Sequence, residues 1–130
     1  MHVEIRNSNT SFTVSVEPDN IDLSCDVELI EQVIINLLKN AIHALENRPN
    51  STISLNGFLN KRGRVTIQVT DNGEGILPEI LDKIFIPFFT TKPKGSGIGL
   101  SLTRQIMRLH NGSINAFSKP DHGTTFTLTF

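Results

Sequence analysis

Residues 26–46, DVELIEQVIINLLKNAIHALE, decide how the rest of the chain is read. Val27, Ile30, Ile34, Leu37, Ala41 and Leu45 recur at steps of three and four, the spacing that gathers apolar side chains on one face of an α-helix. Ser24 or Asp26 can cap its start, and Asn47 to Asn50 with Pro49 ends it. At about 1.5 Å per residue such a helix is roughly 30 Å long, the width of a small domain, so the other elements must pack along it.

On the amino-terminal side, Phe12, Val14 and Val16 alternate with Thr13 and Ser15 as in a half-buried strand, and Val3 and Ile5 suit a shorter partner. On the other side, Ile53 and Leu55, then Val65, Ile67 and Val69, predict two strands joined by the turn Asn60-Lys61-Arg62-Gly63. A short helix is expected from Pro78, carrying Ile80, Leu81 and Ile84, because proline suits a first helical turn. Residues 87–97 are too punctuated by proline and glycine for regular structure. Leu102, Ile106 and Leu109 predict a second amphipathic helix from Gly97 to His110, with Gly112 as its stop. Ile114 to Phe117 and Thr125 to Phe130 read as a hairpin around residues 119–123. The economical packing of these parts is a mixed sheet covered on one face by helices.

With 130 residues the chain suits one domain and is too short for a large multi-domain enzyme. Its 12 Lys and Arg against 13 Asp and Glu leave a formal charge of −1, so no bulk field gathers polyanions. Nucleic acid is therefore not an expected partner, and any bound anion must be gripped locally. The single cysteine, Cys25, excludes an internal disulfide and a cysteine zinc cluster, which suits a reducing compartment. No apolar run approaches the roughly 20 residues that span a bilayer, and Met1-His2-Val3-Glu4 does not open a signal peptide. The expectation is a soluble domain with no membrane contact of its own.

Three stretches carry candidate chemistry. Asn36 and Asn40 lie four apart on the long helix, on one side of it. An amide oxygen is a hard ligand of the kind Mg²⁺ takes, although two polar residues at a solvent boundary have the same spacing. In Asp71-Asn72-Gly73-Glu74-Gly75, Asp71 shares parity with Val65, Ile67 and Val69, which aims its carboxylate at the apolar face. A buried carboxylate needs a donor, which an adenine amino group can be, and Gly73 and Gly75 let the backbone approach a flat ring. A plain Asp-Asn-Gly turn needs no ligand at all. The third stretch, Lys92-Pro93-Lys94-Gly95-Ser96-Gly97-Ile98-Gly99-Leu100, is basic and glycine-rich and runs into a helix. Free amides and the helix dipole make such a junction an anion site, yet its spacing fits neither a Walker loop nor a dinucleotide fingerprint.

Together these stretches resemble a family. Residues 32–41, Asp71 to Ile76, Ile84 to Lys92, Gly95 to Leu100 and Gly123-Thr124-Thr125-Phe126 are similar, in order, to five motifs of the catalytic ATP-binding domain of sensor histidine kinases. These are the asparagine box, the first glycine box, the phenylalanine box, the second glycine box and a closing Gly-Thr motif. The resemblance covers nearly all of residues 1–130 and implies one Bergerat-type domain. Its fold is an α/β two-layer sandwich, a mixed and mainly antiparallel sheet of about five strands under three helices.

The cofactors implied are ATP and Mg²⁺. Asn40 would be the Mg²⁺ ligand and Asn36 a second polar contact to phosphate or metal. Asp71 would accept from the adenine amino group, with Gly73, Gly75 and Ile76 beside the ring. Residues 85–96 would form a lid anchored by Phe85, Phe88 and Phe89. Gly97, Gly99 and Leu100 would offer amides to the phosphates, and Gly95, Ser96, Ile98 and Thr125 belong to the same site by their places in the motifs. Thr90 and His43 stand where many relatives carry an arginine and a lysine facing the terminal phosphate, so Lys92 or Lys94, and secondarily His43, are expected to supply that charge.

None of His2, His43, His110 or His122 sits in the acceptor-helix setting of the family. The phosphoacceptor is therefore expected on a separate dimerisation/histidine-phosphotransfer domain, with a response regulator receiver domain downstream and a cytoplasmic location, the parent being membrane-anchored or not. Two other functions fit the fold: a self-sufficient ATPase and an inactive nucleotide-binding module. The first resembles gyrase in needing a glutamate four residues before the metal asparagine, and here that place holds Asn36, which cannot take a proton.

Overall fold

The computed structural model describes the backbone of residues 2–7, 10–91 and 97–130 and the side chains of residues 10–91 and 97–130. Helix α1 forms over Val27–Ala44, and of the two possible caps Asp26 takes the role, its Oδ1 accepting from the Leu29 amide at 3.1 Å. Before it lie β1 (His2–Asn7) and β2 (Thr10–Glu17). After it come β3 (Ser51–Leu59), β4 (Val65–Asp71), α2 (Pro78–Leu81), α3 (Gly99–Leu109), β5 (Ser113–Lys119) and β6 (Gly123–Thr129).

The strands make one six-stranded sheet in the order β1-β2-β3-β4-β6-β5. Strands β2 and β3 pair in parallel and all other neighbours pair antiparallel. A parallel pair needs a crossover, and α1 is that crossover. The mixed, mainly antiparallel two-layer architecture is thus the one expected, with β1 adding a sixth strand at the edge.

Packing follows from parity. Ile53, Val69, Phe126, Leu128 and Ile114 lie on one face of β3, β4, β6 and β5 and join Ile30, Val33, Leu37 and Ala41 of α1 in one core. Val33 and Leu37 are completely buried. The alternate rungs are polar, with Thr70 against Thr125 (Oγ1 to Oγ1 3.1 Å) and Gln68 donating to Thr127 at 3.2 Å.

Two expected helices differ in detail. Helix α2 ends at Leu81, so Ile84 is buried from the turn that follows it rather than from the helix. In α3 the buried stripe is Thr103, Ile106 and Met107, whereas Leu109 is 75% exposed and Leu102 lies at the surface. Thr103 is tolerated in the core because its hydroxyl donates to the Gly99 carbonyl at 2.9 Å, an internal partner that apolar periodicity does not register. The stop is also displaced by one residue. Asn111 takes the left-handed conformation (φ 57°), and Gly112 donates back to the Met107 carbonyl at 2.8 Å. His110 then ties the two long helices together, its Nε2 accepting from the Asp26 amide at 3.0 Å.

Candidate functional site

One face of α1 runs along the candidate site. Asn36 is engaged at both ends of its amide: its Nδ2 donates to the Gly99 carbonyl at 3.3 Å and its Oδ1 accepts from Gln32 Nε2 at 3.0 Å. This links α1 to the first turn of α3. Asn40, one turn further on and half-buried, has no hydrogen-bond partner among the described residues. His43 is exposed.

Beyond the C-terminal end of α1 lies the Asp71 loop. Asp71 is the last residue of β4 and only 6% exposed, and its Oδ1 accepts the Gly73 amide at 2.9 Å. The expected parity therefore holds: the carboxylate is on the core face, across from Thr124 and Ile53. The glycines, however, are demanded by the protein's own backbone. A side chain at Gly73 would strike the Ala44 carbonyl at the end of α1. Gly75 has φ +73°, and a side chain there would strike the Lys119 carbonyl. Further bonds fasten this loop, with the Glu74 amide donating to Ala44 O at 3.2 Å and the Asp121 amide donating to Glu74 O at 2.7 Å.

The other end of the site is the start of α3. Its first residues, Gly99 and Leu100, follow Ile98, which provides no side-chain cap, and the first turn has no acidic residue. A bare N-terminus keeps amides and the positive end of the dipole available to an anion. Gly97 accepts from the Phe88 amide at 2.9 Å, closing the base of the segment between them, and Arg104 of α3 lies 5.5 Å from the Phe85 ring centroid. Lys92, Lys94, Gly95 and Ser96 lie outside the described residues.

The structure thus brings Asn36, Asn40, Asp71, Gly73, Gly75, Ile76, Gly97, Ile98, Gly99 and Leu100 to positions along or at the ends of α1. Thr125 goes elsewhere: its hydroxyl meets Thr70 on the opposite face of the sheet, and the threonine on the Asp71 face is Thr124. From Ala44, against Gly73, back to Asn36, against Gly99, is eight residues, or about 12 Å along the helix axis. Asn40 stands midway.

Among the described residues no group of three or more His, Cys, Asp or Glu side chains could hold a metal ion. An uncommitted amide oxygen fits instead a hard cation that brings most of its ligands with it as phosphate oxygens and water. Sequence reasoning missed Ser118, whose hydroxyl accepts from the Ile76 amide at 2.7 Å. A lone serine near a strand end gives no signal until the strand register is known.

A family model described as histidine kinase-, DNA gyrase B-, and HSP90-like ATPase matches residues 25–130. Sporulation kinase D of Bacillus subtilis (strain 168) is 43% identical over 107 residues, 82% of this chain and 21% of that protein. Sensor histidine kinase ZraS of Klebsiella oxytoca is 36% identical over 118 residues, 91% of this chain and 25% of that protein. The chain therefore spans about a fifth to a quarter of the length of these curated relatives. Among solved structures, the catalytic domain of histidine kinase ThkA matches with a TM-score of 0.80 at 32% identity, covering 94% of this chain and 78% of that one. A mycobacterial sensor histidine kinase, MprB, matches with a TM-score of 0.80 at 25% identity, covering 94% and 81%.

Proposed function

The chain belongs to the histidine kinase-, DNA gyrase B-, and HSP90-like ATPase family, and from that membership we propose that residues 1–130 form the catalytic ATP-binding domain of a sensor histidine kinase. The adenine end lies at Asp71, Gly75 and Ile76, and the phosphate end at Asn40 and the start of α3. The terminal phosphoryl group leaves ADP and bonds to an imidazole nitrogen of a histidine on a separate dimerisation/phosphoacceptor domain of the same kinase. A response regulator receiver domain takes it from there.

The observation that supports this reading is the Asn40 amide, which has no hydrogen-bond partner among the described residues and stands between a buried carboxylate and a helix N-terminus with no side-chain cap. Asn40 would hold Mg²⁺, which when bound would supply neutralisation of phosphate charge, while positioning is the work of the chain itself. Lys92 or Lys94 would supply the charge for the terminal phosphate, since residues 85–91 and 97–101 contain no cation, and His43 on α1 is the second choice. Phe88 and Ile98, both exposed, flank the Phe88–Gly97 bond and offer an apolar contact to the acceptor helix.

Autonomous ATP hydrolysis loses support at Asn36. Its amide is committed at both ends and offers no base for water. The proposed location is the cytoplasm, where ATP is available, and no helix among the described residues is long and apolar enough to cross a membrane.

The test is calorimetric titration of the protein with ATP, with and without Mg²⁺, followed by addition of a separately expressed acceptor-helix domain. The expected result is Mg-dependent binding, negligible steady-state turnover alone, and acid-labile phosphohistidine on the added domain. Rapid turnover alone would favour the ATPase, and binding without transfer to a cognate acceptor would favour an inactive module.

A further inference from the structure

The strand register brings one unassigned hydroxyl to the base end of the site. Ser118 of β5 pairs with Thr124 of β6, and Thr124 in turn pairs with Asp71 of β4. Ser118 Oγ lies 2.7 Å from the Ile76 amide, 3.0 Å from the Gly123 carbonyl and 2.9 Å from Thr124 Oγ1. A serine hydroxyl has one proton and two lone pairs. With the proton committed to Gly123 O, the Ile76 N–H and the Thr124 O–H must both donate to Ser118. Every valence is used, and the Thr124 hydroxyl keeps its own lone pairs on the Asp71 face.

We propose that Ser118 is a positioning residue for the nucleotide base. Its hydroxyl ties the β5–β6 hairpin to the Gly75–Ile76 segment and fixes that segment beside the Asp71 carboxylate. The inference rests on the reading of this end as the adenine site. The hairpin also meets this loop through its backbone, the Asp121 amide donating to Glu74 O at 2.7 Å. That contact holds the loop two residues before Ile76, whose side chain packs against the core while its amide is held by Ser118. Removing the Ser118 hydroxyl orphans the Ile76 amide and frees the wall against which the base must stack.

The two ends of the site are about 12 Å apart along α1, which gives the role a signature. A fault at Ser118 must cost every adenine nucleotide the same factor, whatever its phosphates or metal. In titrations of the 130-residue protein, Ser118→Ala is expected to weaken ATP and ADP alike by about tenfold, with the same ratio in EDTA as in Mg²⁺. Ser118→Thr, which keeps the hydroxyl and suits a strand, is expected to bind within about twofold of the unmodified protein.

A lowered melting temperature with unchanged affinities would make Ser118 merely structural and overturn the proposal. A loss confined to Mg-ATP would overturn it too, by moving the effect to the phosphate end. Hydrogen exchange on the unmodified protein gives a check that needs no variant to fold: the Ile76 amide should exchange as slowly as the β5–β6 ladder, and rapid exchange would refute the bond. Failure of the unmodified protein to bind any nucleotide strikes the proposed function instead, so the two can fail separately.

Discussion

At the C-terminal end of α1, residues 71–76 are fastened to their surroundings by hydrogen bonds from Glu74 and Ile76, and by Asn72, whose side chain bridges the Thr52 amide and the Asn50 carbonyl at 2.8 and 2.9 Å. Along the same helix Asn40 has no partner among the described residues, and α3 begins without a cap. On the proposed reading, the end at residues 71–76 is ordered by the protein's own bonds, whereas Asn40 is left for the ligand. If these are the base and phosphate ends, the first would be selected by shape and by one buried carboxylate, and the second would gain its order from the ligand and metal. Substitutions should therefore act differently at the two ends.

The largest effect is expected for Asp71→Asn. It replaces the buried acceptor with a group that can accept from an amino donor only in one flip state, while Gly73 N–H competes for the same oxygen. Affinity for ATP should fall by about a hundredfold, the upper range for a hydrogen bond to a charged group. Inosine triphosphate, which lacks the amino donor, should lose much less. An equal loss for both nucleotides would mean that Asp71 holds the loop and does not read the base.

Next is Asn40→Ala, for which affinity and stability should move in opposite senses. No bond to a described residue is lost, and alanine is the better helix former by a few tenths of a kcal/mol, so the melting temperature should hold or rise. Mg-ATP affinity should drop by roughly tenfold or more, and binding measured in EDTA should not change. A lower melting temperature together with unaltered Mg-ATP binding would remove Asn40 from the site.

The rigid end was more legible than the open one, though for a reason the residues alone hide. Parity correctly aimed Asp71 at the core, since Val65, Ile67 and Val69 share its side of β4. The glycines of the loop read as room for a ligand, yet Gly73 and Gly75 are required by the carbonyls of Ala44 and Lys119. Contacts of that kind join segments far apart in sequence, which no local pattern encodes. Helix α1 was legible because its apolar stripe is long and regular. Helix α3 was read only in part: Ile106 is buried as expected, but Leu102 and Leu109 are at the surface and Thr103, a polar residue, occupies the core where a carbonyl satisfies it.

Asn36→Ala tests the joint between the two ends. Its bond to the Gly99 carbonyl links α1 to α3, but Thr103 Oγ1 also donates to that carbonyl, so the substitution leaves no orphaned acceptor. Stability should change by less than about 1 kcal/mol in chemical denaturation. ATP affinity should weaken only a few-fold, through a looser start of α3. A collapse of binding comparable with Asn40→Ala would give Asn36 a direct contact with the ligand.

The smallest effect separates two neighbouring threonines that composition cannot tell apart. The motif Gly123-Thr124-Thr125-Phe126 offers two hydroxyls one residue apart, and in a strand adjacent residues face opposite ways. Thr124 is 5% exposed and shares a rung with Asp71 and Ser118, while Thr125 shares one with Thr70 on the far face. Thr125→Val, which keeps shape and strand propensity, should therefore leave nucleotide affinity unchanged within about twofold, whereas Thr124→Val should weaken it severalfold by breaking the Ser118 network. If the two substitutions changed places in titration, β6 would be out of register by one residue. Every assignment at the base end that depends on the β4–β6 pairing would then move to the other face.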